Sequence, residues 1–297
     1  MFVCKNRLVL KSTHWPRANN RTEAMHENKY PLVTHSRDPR FLALLSLRNP
    51  RVRNSTGRYL IEGIRHVAKT VESRLSIQSL FIEPSLLRNH FAQKLVRNLR
   101  KSGVQGIRLS PQLYRELTLA SEPQGIGAVL KQHWRRLADV EVKSRSLWLA
   151  IESVDFPGNL GTMIRTAEAA GVAGIFLLRS IGDRSVPDPW DPAAIRATMG
   201  SLFSQRLVCC STDEFVAWAR ATGVTLVGSS PRGPLDYKDM QCRTPEALLI
   251  GRERHGLSEQ LMEVCNFLVR IPMRGACDSI NAAVAAGVLL FEMSHRI

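Results

Sequence analysis

From Ser146 onward the chain alternates short apolar runs with stretches of helical periodicity, and that rhythm constrains the fold more than any other feature. The runs lie at 147–151, 175–178, 207–210, 225–228, 248–250 and 267–271. The helical stretches lie at 159–170, 192–200, 212–222, 258–265 and 281–296. Apolar runs without polar alternation suit strands buried on both faces. Strands that alternate with helices predict a mostly parallel sheet covered on both sides. Such sheets bind ligands beyond the carboxyl ends of their strands, so function is sought in the loops that follow them.

Three of those loops are chemically unusual. The first opens the stretch 152–170, ESVDFPGNLGTMIRTAEAA. Asp155-Phe156-Pro157-Gly158-Asn159 reads as a turn-rich loop, and Asn159 as the N-cap of a helix. Gly158 and Gly161 permit close backbone approach, and Arg165 is a permanent cation in the second turn. A strand, a glycine loop and a helix with a cation near its start suit anions and nucleotides. An ordinary capped helix with a surface arginine would carry the same letters.

The second loop reads Gly251-Arg252-Glu253-Arg254-His255-Gly256-Leu257-Ser258. Two glycines frame one carboxylate. Glu253 can orient an arginine, accept hydrogen bonds from a ligand, or simply favour a helix start through the macrodipole. His255 reads as a bystander. The third loop runs Ile271-Pro272-Met273-Arg274-Gly275-Ala276-Cys277-Asp278-Ser279-Ile280-Asn281. Pro272 ends the strand, Ser279 reads as a capping residue, and Asn281 begins the last helix. That helix is apolar on nearly every side, which suits an internal position or a subunit interface.

The 297 residues suffice for two domains, and 41 Lys and Arg against 26 Asp and Glu leave a net charge of +15. That surplus points to a polyanionic partner, with nucleic acid ahead of an anionic membrane surface. No apolar run is long enough to span a bilayer. Residues 1–40 read as a basic, flexible arm. Their start lacks a signal-peptide core, so a cytoplasmic protein is expected, and the acid-poor segment is also compatible with an organelle transit peptide. Cys4, Cys209, Cys210, Cys242, Cys265 and Cys277 form no C-x-x-C pair, so neither a disulfide framework nor a zinc site is expected.

Residues 41–132 read as a smaller α/β unit without a catalytic cluster. The segment 48–58 reads as a basic flexible loop in which Arg51, Arg53 and Arg58 suit phosphate contacts. The segment 133–145 is highly charged and reads as a linker or exposed helix, leaving 146–297 as the second domain.

Taken together and in order, the three loops carry a resemblance. Asn159-x-Gly161 with Arg165, then Gly251-x-Glu253-x-x-Gly256, then Ile271-Pro272-Met273 through Ser279-Ile280-Asn281, resemble the three motifs of the SpoU (TrmH-like) branch of the SPOUT RNA methyltransferases. The N-terminal unit, with Gly57-x-Tyr59-Leu60-Ile61-Glu62-Gly63 and Pro123-Gln124-Gly125-Ile126, resembles the L30e-like substrate-binding domain of many members. The resemblance implies a parallel-sheet domain with a deep trefoil knot, a homodimer, and methyl transfer from S-adenosylmethionine to a ribose 2′-hydroxyl. No metal is implied. It implies ribosomal RNA as the substrate, with transfer RNA as the alternative. A non-catalytic RNA-binding relative is the rival reading. A dinucleotide-dependent oxidoreductase is disfavoured because Gly158-Asn159-Leu160-Gly161 lacks the G-x-G-x-x-G pattern. Carried over by position, Asn159, Arg165, Glu253, Ser279 and Asn281 fall at the reacting site. Gly251, Ile271 and Ile280 fall at the cofactor.

Overall fold

Four helices begin with the same device. Asp38, Asn49, Ser110 and Asp191 each precede a proline, and each side chain accepts a hydrogen bond from a backbone N–H of the first turn. The cap satisfies one orphan donor, and proline stands where its missing N–H costs nothing. The computed structural model describes residues 30–179, 187–241, 244–253 and 255–296. Pro31–Ile297 form one compact unit holding two sheets. Among the described residues no helix is long and apolar enough to cross a membrane.

The smaller sheet contains β1 (Leu32–Val33), β2 (Arg58–Glu62), β3 (Ile77–Ile82), β4 (Gln105–Leu109) and β5 (Ile126–Lys131), in the order β1-β4-β3-β5-β2. β1 and β3 run parallel to β4, while β5 is antiparallel to β2 and β3. Helices α1 (Pro39–Ser46), α2 (Pro50–Thr56), α3 (Ile64–Glu72), α4 (His90–Lys101) and α5 (Pro111–Leu117) complete the unit. The C-terminal part of the arm expected over residues 1–40 belongs to this unit instead. Leu32 and Val33 pair with Arg108 and Leu109 inside the sheet, and residues 1–29 lie outside the described residues.

The larger sheet is parallel in every described pairing. It contains β6 (Leu147–Ile151), β7 (Gly174–Arg179), β8 (Leu207–Ser211), β9 (Thr225–Ser229), β10 (Leu235–Asp236), β11 (Glu246–Ile250) and β12 (Phe267–Arg270). Their spatial order is β10-β12-β9-β11-β6-β7-β8. The chain runs outward from β6 to β8, then places β9 beyond β6 and returns β11 between them. The direction of winding thus reverses at the β6–β11 pair. Among the helices, α8 (Thr212–Thr222) and α9 (Glu259–Val264) cover one face through Phe215, Trp218 and Leu261, packed with Trp148, Phe176 and Leu249. Helices α6 (Pro157–Ala169), α7 (Pro192–Thr198) and α10 (Ala282–Ser294) pack together over the other face.

The segment 133–145 is not a free linker. The Arg135 N–H donates to Leu207 O at 2.8 Å, Leu137, Val140 and Val142 pack on the large core, and His133 and Trp134 meet Trp190. Its charges point outward, but its apolar residues carry it along the sheet edge.

Residues 48–58 are corrected in the same way. Pro50–Thr56 is a helix, begun by Asn49 and ended by Gly57 in the left-handed conformation. Arg53 is 1 % exposed and unavailable to a phosphate. It donates to Asp188 at 2.7 Å and to the Leu47 and Arg48 carbonyls, so it ties the small α/β unit to the segment before α7. Arg51 is exposed and Arg58 half-buried. Removing a buried guanidinium strands its partner charge and several carbonyls. Asp188 retains some water contact, so Arg53→Ala is expected to cost about 3 kcal/mol, the low end for such pairs. Thermal and urea unfolding would measure the loss, and a change below about 0.5 kcal/mol would contradict the role given to Arg53.

Candidate active site

The first two loops leave the sheet side by side because Ile151 pairs with Ile250 across β6 and β11. Glu152 extends that ladder, its N–H donating to Ile250 O at 3.0 Å. Its carboxylate is 3 % exposed and accepts the Ser258 N–H at 3.0 Å, which binds the exit of the second loop to the end of β6. Sequence reasoning passed over Glu152. A lone acid at the end of an apolar strand was the available signal, since such an acid must find donors once buried.

The first loop is shorter than its sequence suggests. Phe156 is the N-cap of α6 and Pro157 the first helical residue, so Asn159 lies inside the first turn rather than before it. Proline fixes the start two residues early. The Asn159 amide is thereby freed from capping and turns towards the second loop. Gly161 allows α6 to lie against α7, since a Cβ there would strike Ala194 O and Ala197.

The second loop closes on itself. Arg252 and Gly256 exchange two backbone hydrogen bonds of 2.8 Å, and Gly256 takes φ +71°. At Gly251 a Cβ would strike the backbone of Gly256 and Leu257. The turn therefore holds Glu253 in one place.

The third loop begins at the end of β12, with β9 and β11 between it and β6. It ends at Asn281, which meets the start of α6. Three interstrand steps are about 14 Å, and roughly ten residues reach about 33 Å. The segment 271–280 thus crosses the carboxyl edge of the sheet with length to spare, and residues 274–280 are exposed along it.

The three loops meet through side-chain amides. Asn159 Nδ2 donates to Glu253 Oε1, and Asn159 Oδ1 accepts from Asn281 Nδ2 at 3.3 Å. The orientation is forced at both ends. A carboxylate only accepts, so Asn159 must present its nitrogen to Glu253. Asn281 Oδ1 is occupied by the Ala283 and Val284 N–H groups at 2.8 and 3.3 Å, leaving Asn281 its nitrogen for Asn159. Asn281, not Ser279, is therefore the cap of α10. Ser279 is exposed, and its hydroxyl donates to Asp278 at 3.1 Å.

Arg165 stands apart from this relay. It is six residues beyond Asn159, which at 3.6 residues per turn carries it about a third of a turn around the axis. It is exposed, with no ion-pair partner among the described residues. Ile271 is half-buried and Ile280 is 38 % exposed, at the two ends of the crossing segment. Glu253 Oε2 is buried without a hydrogen-bond partner among the described residues, so it is an acceptor open to a ligand. A ligand rich in N–H and O–H donors fits it.

Comparisons with known proteins place the fold. Residues 146–291 match the model of the SpoU rRNA Methylase family, and residues 39–128 match the MRM3-like substrate binding domain. The chain is 33 % identical over 267 residues to a 23S rRNA (uridine(2479)-2′-O)-methyltransferase of Streptomyces viridochromogenes, covering 86 % of this chain and 90 % of that protein. It is 28 % identical to a 23S rRNA (guanosine(2553)-2′-O)-methyltransferase of Bacillus subtilis, covering 83 % and 92 %. The AdoMet-bound rRNA methyltransferase of Sinorhizobium meliloti superposes with a TM-score of 0.80 at 30 % identity, covering 90 % and 98 %. An α/β protein whose three loops meet at the β6–β11 switch point of a parallel sheet is the class that the fold defines. The chain belongs to the SpoU methylase family.

Gly251→Ala is expected to open the 252–256 turn. Hydrogen exchange at the Arg252 and Gly256 amides should accelerate by at least about tenfold, with the core strands unchanged. Protection equal to that of the native protein would show that the turn tolerates a side chain.

Proposed function

We propose that the protein is an RNA methyltransferase that transfers a methyl group from S-adenosylmethionine to a ribose 2′-hydroxyl in ribosomal RNA. The observation that carries the reading is the meeting of Asn159, Glu253 and Asn281 at the carboxyl edge of the parallel sheet. Its support from outside the chain is the family membership and the activities named for the relatives.

Gly251, Ile271 and Ile280 would hold the cofactor, the first at the turn and the others at the ends of the crossing segment. The bound cofactor supplies an electrophilic methyl group on a sulfonium, so the protein mainly has to align oxygen, methyl and sulfur. Arg165 is the cation for the reacting nucleotide. A guanidinium keeps its proton far above neutral pH, which makes it a poor base. It stabilises the oxygen as negative charge develops there, or holds the neighbouring phosphate. Glu253 accepts a donor from the ligand through its free oxygen and holds the Asn159 amide with the other. Asn281 positions Asn159, and Ser279 offers a hydroxyl to the ribose.

The protein acts as a homodimer in this reading. Val284 and Phe291 lie seven residues apart on one face of α10 and are 55 % and 44 % exposed, an apolar strip that a second copy would cover. A partner over that face would complete the surroundings of Arg165. The crossing of 271–280 over the second loop is the step at which the chain would form the trefoil knot. Arg51 and Arg58 remain available to contact the RNA backbone.

Incubation with total RNA and labelled cofactor, followed by mapping of the modified nucleotide, tests the reading. Label is expected on a ribose of ribosomal RNA. Label confined to transfer RNA would overturn the substrate, and no label at all would overturn the activity. Arg165→Ala is expected to lower the transfer rate at least ~100-fold, while cofactor affinity by calorimetry changes less than about threefold. Retention of most activity would remove Arg165 from the reacting site.

A further inference from the structure

Outside the site already described, the patch around Trp134 combines an exposed aromatic ring with a surplus of arginines. Trp134 is 37 % exposed, while Trp148, Trp190 and Trp218 are all buried. Its ring meets Trp190 edge-on at 5.4 Å, and Trp190 in turn packs on Tyr59 and His133 at 4.5 and 4.8 Å. The indole N–H donates to Gln132 at 3.3 Å. The ring is thus fixed from behind by a buried aromatic stack and from the side by a hydrogen bond.

Trp134 and Arg135 line two adjoining recesses of about 550 and 490 Å³. Arg136 and Arg179 also line the first, and Arg206 the second. Arg136 is paired with Asp139 at 2.7 Å. Arg135, Arg179 and Arg206 are exposed and form no ion pair among the described residues, although Asp139 lies within electrostatic reach of Arg135 and Glu214 of Arg179. The carboxylate in the first recess, Asp188, is already taken by Arg53 at 2.7 Å. The patch therefore offers a rigid aromatic surface among net positive charge.

The location is also informative. Arg135 pairs with Val208 of the edge strand β8, so residue 134 stands beside the outer edge of the large sheet. Arg179 is the last residue of β7, next to β6 at the carboxyl edge where the three loops meet. The recess therefore runs from that edge out along β8.

We propose that this patch is a second RNA subsite, in which Trp134 stacks on an unpaired base while Arg135 and Arg179 hold the adjoining phosphates. A planar aromatic ring beside an anion is the composition of a nucleotide, and every base offers a face to an indole. The first recess has the size of sites that take small ligands. The inference rests on the RNA-methyltransferase reading for its meaning, but the binding it asserts is measurable without methyl transfer.

The test uses the full chain and a labelled mixed-sequence single-stranded oligoribonucleotide. Trp134→Ala is expected to weaken binding about tenfold, and Trp134→Phe, which keeps a ring, less than threefold. Arg135→Ala and Arg179→Ala should each reduce the slope of log affinity against log salt by about 0.7. In the transfer assay Trp134→Ala should raise KM for RNA while kcat at saturating RNA and cofactor affinity stay within about twofold. Unchanged affinity in Trp134→Ala, or equal losses in the alanine and phenylalanine variants with native melting temperatures, would overturn the subsite. If the native chain transfers no methyl group yet shows the stacking pattern, the activity reading fails and the subsite stands.

Discussion

The arrangement depends on one side-chain amide. Asn159 gives its nitrogen to Glu253 and its oxygen to Asn281, and so joins segments 94 and 122 residues away in sequence. The asparagine amide carries a donor and an acceptor on the same carbon of one short side chain. Aspartate would face Glu253 with a second carboxylate, and a hydroxyl would reach less far. The relay is forced into one orientation because Glu253 only accepts and Asn281 has already spent its oxygen on the first turn of α10. A site assembled this way is positioned by elements of the scaffold rather than by loop conformation alone.

What surrounds the relay follows from the same economy of backbone groups. Glu152 satisfies the Ser258 N–H, Gly256 turns the second loop back on Arg252, and Gly251 admits that turn without a side chain in the way. Each device fixes a loop that sits at the β6–β11 switch point, where parallel strands on either side leave a crevice. The small α/β unit is held to this frame by Arg53, whose guanidinium joins α2 to the residues before α7. Helix α7 thus touches both halves of the molecule. Its Ala194 packs on Gly161 of α6, while Pro192, Ile195 and Met199 face a cavity of about 390 Å³ shared with Glu62 and His66 of the small unit.

The strands of the large sheet were legible because burial on both faces leaves an uninterrupted apolar signature, and every run from 147–151 to 267–271 is a strand. The two-residue strands β1 and β10 carry no such signature. α2 reads as a loop in the sequence because Arg51, Arg53, Asn54, Ser55 and Thr56 lack an apolar stripe, although Asn49-Pro50 at its start and Gly57 at its end are sound boundary signals. The residues that meet in the relay were all named from the sequence. Their contacts were not, because a hydrogen bond between residues 159 and 281 depends on a crossing that no local pattern encodes. Arg53 misled for the opposite reason. Composition reports that a residue is charged, and only the packing shows that its charge is spent inside the protein.

The coupling between Asn159 and Glu253 tests the account most directly. Unfolding free energies of Asn159→Ala, Glu253→Ala and the double variant would be measured by denaturant titration. An interaction energy of about 1–3 kcal/mol is predicted, since each single change leaves a partly buried polar group without its partner. Additivity within about 0.3 kcal/mol would mean that the two loops do not hold one another, and that the site is not built as described.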